Sequence, residues 1–332
     1  LNIPGHLEAV AGHLGQVRQI EESSWNGMRQ MSGAEMKELI ARGWGVGNHS
    51  WSHLQIEPNM VDQELRIARD VIEEAIDAPV PLYCAPGSVR NMSEHVLEAC
   101  QELGYLGAMS IRDNVTRPDQ EASLSNLYVE VTDDNYPVFT NPTELGQDER
   151  RQLFWLDRSP LIHEFEKPFY NKFDPFRNLL VAQREKAWVI DYCHCPLERS
   201  VHINKCVSAS ELRQRLETVL SEGGSDVWCA VPEEVISYLW CRRAASIDTI
   251  DETDRKQHYR VVLSDLPSRV TSRELTFEVD VPAACCNFPQ VWVNGTPQPA
   301  ELVRPRVLRF TIDVGDGVEL AFHVPQTQFA NS

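Results

Sequence analysis

The chain has 332 residues with 42% hydrophobic content, enough for one large domain and a smaller one, each with its own core. Lys+Arg 31 against Asp+Glu 49 gives a net charge of -18, which repels phosphate backbones and anionic lipid surfaces and argues against nucleic acid as a partner. No run approaches the roughly 18 apolar residues of a membrane span, and no signal peptide is read after Leu1.

From Ser32 the pattern is regular. Ser32-Gly33-Ala34-Glu35 has the spacing of a capping box, Met36, Leu39 and Ile40 form an apolar face, and Gly43 ends the helix. A strand over 44–48 follows and delivers His49 at its C-terminal end. Val61, Leu65, Ala68, Val71, Ile72 and Ile76 recur at three- and four-residue steps, which predicts an amphipathic helix over 60–77. A strand over 80–84, the turn Ala85-Pro86-Gly87-Ser88, a helix from Ser93 to a stop at Gly104 and a strand over 105–110 continue the alternation. Such alternation is the signature of βα units around a parallel sheet.

Between 112 and 173 the rhythm breaks, with one strand predicted over 127–131 amid long polar and aromatic stretches. Asp174-Pro175 starts a helix toward Lys186, and 187–193 reads as an apolar strand ending at His194. Ser208-Ala209-Ser210-Glu211 repeats the capping-box spacing before a helix stopped by Gly223-Gly224. A strand over 226–230 and a helix opened by Pro232 complete the series. From about Ile247 the segments are short, β-rich and partly alternating, over 259–263, 274–281, 290–294, 306–312 and 318–324, with turns such as Asn294-Gly295 between them. The reading is a domain over 1–246, a polar connector over 248–256 and an antiparallel β-sandwich over 257–332.

His49 and His53, four residues apart, can face one metal ion, but ten histidines in this chain give roughly 0.3 such pairs by chance. Position adds weight. In parallel βα architectures chemistry gathers at the C-terminal ends of strands, where His49 and His53, Pro86 and Ser88, and His194 all fall. Cys193-His194-Cys195 suggests a separate metal site, but alternation along a strand sets these side chains on opposite faces. Trp51, Tyr83 and Trp188 either line a sugar groove or pack in the core.

On these motifs the chain resembles the polysaccharide deacetylases, the NodB-homology or carbohydrate esterase family 4 type, over most of residues 1–243. His49-Ser50-Trp51-Ser52-His53 matches the family's His-Ser/Thr-x-x-His metal motif, after the glycine-rich Gly43-Trp44-Gly45-Val46-Gly47-Asn48. Cys84-Ala85-Pro86-Gly87-Ser88 is similar to its groove motif without the arginine, a place for which Arg90 is the nearest candidate. The stretch from Trp188 to His194 resembles the strand that ends in the family's histidine acid. Asp226-Val227-Trp228-Cys229-Ala230 with Pro232-Glu233-Glu234-Val235 resembles the closing segment.

The resemblance implies a distorted (β/α) barrel and a hydrolase that removes acetyl groups from a carbohydrate, cleaving an amide or ester. It implies a divalent metal, zinc first, on His49 and His53, with His194 as general acid and Trp51, Pro86, Gly87, Ser88 and Arg90 along the substrate groove. The family's first motif, Thr-Phe-Asp-Asp-Gly, supplies a base and a third ligand, yet no Asp precedes Asp62. Residues 1–6 read as the end of the family's second strand and the loop after it. The barrel is thus expected to be N-terminally incomplete, through truncation, a partner chain filling the gap, or loss of catalysis. Glu21, Glu22, Glu57, Asp113 and Asp191 are weighed as replacement carboxylates and none is chosen. Non-catalytic carbohydrate binding and hydrolysis of another non-peptide C–N bond stand as alternatives. Nine cysteines without framework spacing point to a reducing compartment, whereas the family is more often extracytoplasmic.

Overall fold

A computed structural model of the chain describes residues 1–19, 25–87, 89–111, 140–148, 152–161, 173–197, 207–253, 256–287 and 289–323. The chain divides into two compact units, Leu1–Val235 and Ile236–Ser332. No helix among the described residues is long and apolar enough to cross a membrane.

The first unit is mixed α/β, built on a curled half-barrel of six parallel strands that neighbour one another in chain order. These are β1 (His6–Ala9), β2 (Gly45–Asn48), β3 (Leu82–Cys84), β4 (Gly107–Ile111), β5 (Leu156–Pro160) and β6 (Ile190–Tyr192). Parallel neighbours need a crossover, and helices α1 (Gly33–Ile40), α2 (Ala68–Ile76) and α3 (Glu94–Glu102) lie between the first four strands. Helix α4 (Arg177–Glu185) precedes β6 and α5 (Ala209–Thr218) follows it, while α6 (Pro232–Ala244) starts at the end of this unit and belongs mostly to the second.

Both predicted capping boxes are present. Ser32 Oγ accepts from the Glu35 amide at 3.4 Å, and the Glu35 carboxylate accepts from the Ser32 amide at 2.8 Å. Ser208 and Glu211 do the same for α5. The apolar stripe of α2 packs as its period predicts: Ala68, Ile72 and Ile76 are buried with Met36, Val46, Val80 and Ala9 in one cluster. Each such isoleucine contributes about 1.5–3 kcal/mol by burial.

Strands β1 and β2 pair His6 with Gly45 and Glu8 with Gly47, so His6 and Glu8 share one face of β1. The glycines opposite are required for room rather than for backbone freedom. A Cβ on Gly47 would lie 2.7 Å from His6 Cε1, and one on Gly45 would overlap the Glu233 carboxylate. The sheet therefore keeps a polar interior at this end: His6 and Glu233 are both buried and 3.4 Å apart.

The second unit carries two antiparallel sheets. Strands β7 (Ala245–Thr253), β8 (Lys256–Leu263), β10 (Gln290–Val293), β11 (Thr296–Pro299) and β14 (Val318–His323) form one, in the order β11-β10-β14-β8-β7. Strands β9 (Glu274–Asp280), β12 (Glu301–Arg304) and β13 (Val307–Asp313) form the other, in the order β12-β13-β9. Burial alternates along β13 and β14, and Leu308, Phe310 and Ile312 from one sheet share a core with Val318, Leu320 and Phe322 from the other. The Phe310 and Phe322 rings lie 5.8 Å apart, which joins the two sheets by an aromatic contact.

Several elements differ from the sequence reading. The segment 248–256 is not a connector: β7 and β8 pair from Ala245 with Leu263 to Thr253 with Lys256. Most of β7 is exposed, so it lacks the apolar alternation that marks a half-buried strand. Residues 226–230 form no strand; after a 3-10 turn, Gly224–Asp226, the chain runs extended without a ladder partner among the described residues. The helix predicted over 60–77 begins as a 3-10 turn (Pro58–Met60) and a π-helical stretch (Asp62–Ile67). Strand β5, Leu-Asp-Arg-Ser-Pro, was not predicted because its Asp157, Arg158 and Ser159 are polar yet buried. The strand predicted over 127–131 lies outside the described residues.

Candidate metal centre

The segment after β2 is built by backbone pairing with the segment after β1. The His49 amide donates to the Ala9 carbonyl at 2.8 Å, the Ala11 amide to Ser50 at 3.0 Å and the Gly12 amide to Trp51 at 3.0 Å. Ser50 and His53 both take left-handed φ, at 68° and 62°, and Ser50 Oγ accepts the His53 amide at 2.9 Å. This tight turn brings the His53 ring back to His49: the two centroids are 4.8 Å apart, edge to face.

Glu64 fixes the other side of the turn. Its carboxylate is buried and accepts from the Trp51 amide at 2.9 Å, the Ser52 amide at 3.0 Å and the Ser52 hydroxyl at 2.7 Å. Asn48, fully buried, donates to the Leu65 carbonyl at 3.1 Å and contacts the Tyr105 hydroxyl at 2.7 Å, which ties the strand end to the same helix. The π-helical stretch 62–67 thus sits where the turn is anchored, as such irregular turns often do at functional sites. Glu64→Ala should destabilise the protein by about 2–4 kcal/mol, since three charge-assisted bonds are lost and two buried amides are left unpaired. Urea unfolding with its usual linear extrapolation checks this, and a midpoint unchanged from wild type would refute it.

Both imidazoles are held neutral. Burial, then the fields of His49, Arg18 and His13, pushes His53 down to about 3. His49 is also lowered, first by burial and further by Arg158 and His194, against the opposing pull of Glu8. A neutral imidazole is the ligand form of histidine, so these two groups would take a divalent ion at neutral pH without losing a proton. His49 Nδ1 stands 2.8 Å from the Cys84 carbonyl, the bond by which a ligating histidine is usually oriented. The residues fit a metal ion by donor chemistry.

Behind His49 lies a buried ion pair. Glu8 Oε1 is 2.9 Å from Arg158 Nη1, and Glu8 Oε2 is 3.5 Å from His49 Nδ1. Burial works against ionisation of Glu8, but Arg158, His49 and His6 outweigh it and hold the carboxyl at about 2. The Arg158 guanidinium lies 4.9 Å from the centre of the Tyr192 ring, and Tyr192 lies 6.0 Å from the ring of His194. His194 is half-buried just beyond β6, with the Trp25 ring at 5.7 Å. Glu8, Arg158 and Tyr192 thus form a chain of contacts between His49 and His194.

The groove residues are less uniform. Trp51 packs partly buried against the core cluster and over Gly12, where a Cβ would meet the indole nitrogen at 2.9 Å. Pro86 is buried, and its carbonyl accepts from Asn91 Nδ2 at 2.8 Å. Gly87 is exposed with φ +75°, as the turn requires. Arg90 is exposed on the 3-10 turn Val89–Asn91, and Ser88 lies outside the described residues. Tyr83 is wholly buried with its hydroxyl on the Asn91 carbonyl at 3.1 Å, which makes it a core residue. Asn91 also receives the Ile56 amide at 2.8 Å and donates to Leu54 at 3.1 Å, stapling the Pro86 turn to the segment after His53. Sequence reasoning missed Glu8, Glu64, Asn91 and Arg158; only the buried glutamate opposite Gly47 left a sequence trace, as a charge inside a short apolar stretch.

Residues 18–108 match the polysaccharide deacetylase family model. No curated protein matches the sequence. Among solved structures the chain is similar to the Streptococcus pyogenes deacetylase PplD in complex with acetate, at 14% identity over 34% of this chain and 46% of that one, with a TM-score of 0.28. It is similar to IcaB from Ammonifex degensii at 17% identity over 36% of this chain and 53% of that one, with a TM-score of 0.29. A candidate polysaccharide deacetylase from Mycobacterium smegmatis is 16% identical over 73% of each chain, with a TM-score of 0.42. The chain thus spans about half the length of the first two, at 46% and 53%.

Proposed function

With residues 18–108 matching the polysaccharide deacetylase family model, we propose that this protein is a metal-dependent hydrolase that removes acetyl groups from a carbohydrate. The observation that carries the reading is the edge-to-face pair of His49 and His53 imidazoles at a strand end, linked through Glu8, Arg158 and Tyr192 to His194. On this reading the first unit is a deacetylase-type barrel and the second a β-sandwich accessory domain.

His49 and His53 would hold the ion, zinc being the best match to two imidazoles with open positions. A bound divalent ion supplies Lewis acidity toward an acetyl carbonyl and a water. Water adds to the acetyl carbon, the C–N or C–O bond to the sugar breaks, and acetate and a free amine or hydroxyl result. The imidazole of His194 would give a proton to the departing nitrogen or oxygen, a role that imidazole side chains commonly fill as general acids. The Pro86, Gly87 and Ser88 turn, with Trp51 and Arg90, would border the sugar.

Release of acetate from N- and O-acetylated oligosaccharides by the zinc-loaded chain tests the proposal, with small linear and cyclic amides as a parallel panel. Metal-dependent acetate release from the sugars is expected. Metal held by His49 and His53 without acetate release would replace the reading with non-catalytic carbohydrate binding. Turnover of the small amides alone would move it to another C–N bond.

A further inference from the structure

His49 Nδ1 faces two acceptors, the Cys84 carbonyl at 2.8 Å and Glu8 Oε2 at 3.5 Å. A neutral imidazole has one N–H, and it resides on the nitrogen that has acceptors. Glu8 Oε2 is buried, while Oε1 is anchored by Arg158 at 2.9 Å. On its far side Glu8 is approached by His6, whose Nδ1 is 4.0 Å from Oε1 and whose Nε2 is 3.4 Å from Glu233. The carboxylate is thus fixed by Arg158, with Oε2 3.5 Å from the proton-bearing side of His49 and the Cys84 thiol beside the same carboxylate.

We propose that Glu8 is a positioning residue for His49: with the Cys84 carbonyl it keeps the ring proton on Nδ1 and leaves Nε2 as the ligand atom. This rests on the metal-centre reading above. A ligating histidine gains basicity and a fixed orientation from such a carboxylate behind it. Glu8, His49 and Cys84 also offer ligand atoms within 4.8 Å of one another. A site on that Nδ1 side would have to break the 2.8 Å bond to the Cys84 carbonyl and compete with Arg158, 2.9 Å away, for Glu8. The Nε2 side asks for neither.

Cobalt(II) is the probe. Wild type and Glu8→Gln are titrated with cobalt against a competing chelator, and the protonated nitrogen of His49 is read in the metal-free proteins by 1H–15N NMR. Wild type should hold His49 in the Nδ1–H form, and Glu8→Gln should show mixed tautomers and bind cobalt about 10–100-fold more weakly. If the loss of charge beside Arg158 unfolds that variant, Glu8→Asp, which withdraws the carboxylate from His49, should show the same two changes in smaller measure. Unchanged tautomer and affinity in the folded variant would overturn the proposal, as would a near-ultraviolet thiolate-to-cobalt band lost in Cys84→Ser. If His49→Ala and His53→Ala bind cobalt like wild type, the metal-centre reading fails instead, and the NMR of the metal-free proteins still decides the role of Glu8.

Discussion

His49→Ala is expected to weaken zinc binding by at least about 100-fold and to lower kcat/KM for acetate release by on the order of 10³-fold, about 4 kcal/mol of transition-state stabilisation. The fold should survive. The backbone bond from residue 49 to Ala9 does not involve the side chain, and the turn is held separately by Ser50 and Glu64. His53→Ala should behave alike, because the two rings meet edge to face and neither provides a metal site alone. His194→Ala should separate from both: its metal affinity stays at the wild-type value, while kcat falls by about 10²–10⁴-fold through loss of the acid. Isothermal titration with zinc beside acetate assays makes the distinction. Equal metal affinity in wild type and His49→Ala would remove the histidine pair from the reaction.

The contrast between the two kinds of residue shows why part of this site can be read in the sequence and part cannot. His49 and His53 are four apart and follow a short apolar run, so their meeting is a local event that spacing encodes. The helices are equally local. Ser32 with Glu35 and Ser208 with Glu211 announce their capping boxes, and Ala68, Ile72 and Ile76 announce the buried face of α2. Glu64 and Arg158 carry no such signal. Glu64 lies on the helical stretch whose apolar stripe was legible, but its contact with Trp51 and Ser52 depends on how a turn folds back 12 or 13 residues earlier. Arg158 belongs to a strand whose polar residues read as a loop, because burial of Asp157, Arg158 and Ser159 depends on partners from other strands. The glycine-rich lead-in was legible as a pattern only. Its cause, the space that Gly45 and Gly47 leave for Glu233 and His6, appears once β1 and β2 are paired.

In that buried polar interior a single substitution should also cost several kcal/mol in stability. Arg158→Met keeps the bulk of the side chain and removes the nearest cation from Glu8, 2.9 Å away. In the wild type Glu8 titrates at about 2 instead of 4.5, so its ionisation contributes up to about 3 kcal/mol at neutral pH. The folded value is depressed, so this contribution is fully present above about 4.5 and is lost as the pH falls toward 2. With Arg158 gone, burial becomes the dominant influence, and the carboxyl should titrate above its wild-type value. The variant is therefore expected to be less stable by about 3 kcal/mol at pH 7, with a further fraction from the lost cation–π contact with Tyr192. The deficit should shrink as the pH is lowered toward 2, because Glu8 becomes protonated in both proteins and the wild type loses the contribution that the variant lacks throughout. Denaturant melts of both proteins from pH 7 to pH 3 provide the comparison. A deficit independent of pH would mean that Arg158 stabilises the fold by packing on Tyr192 rather than by holding Glu8 ionised.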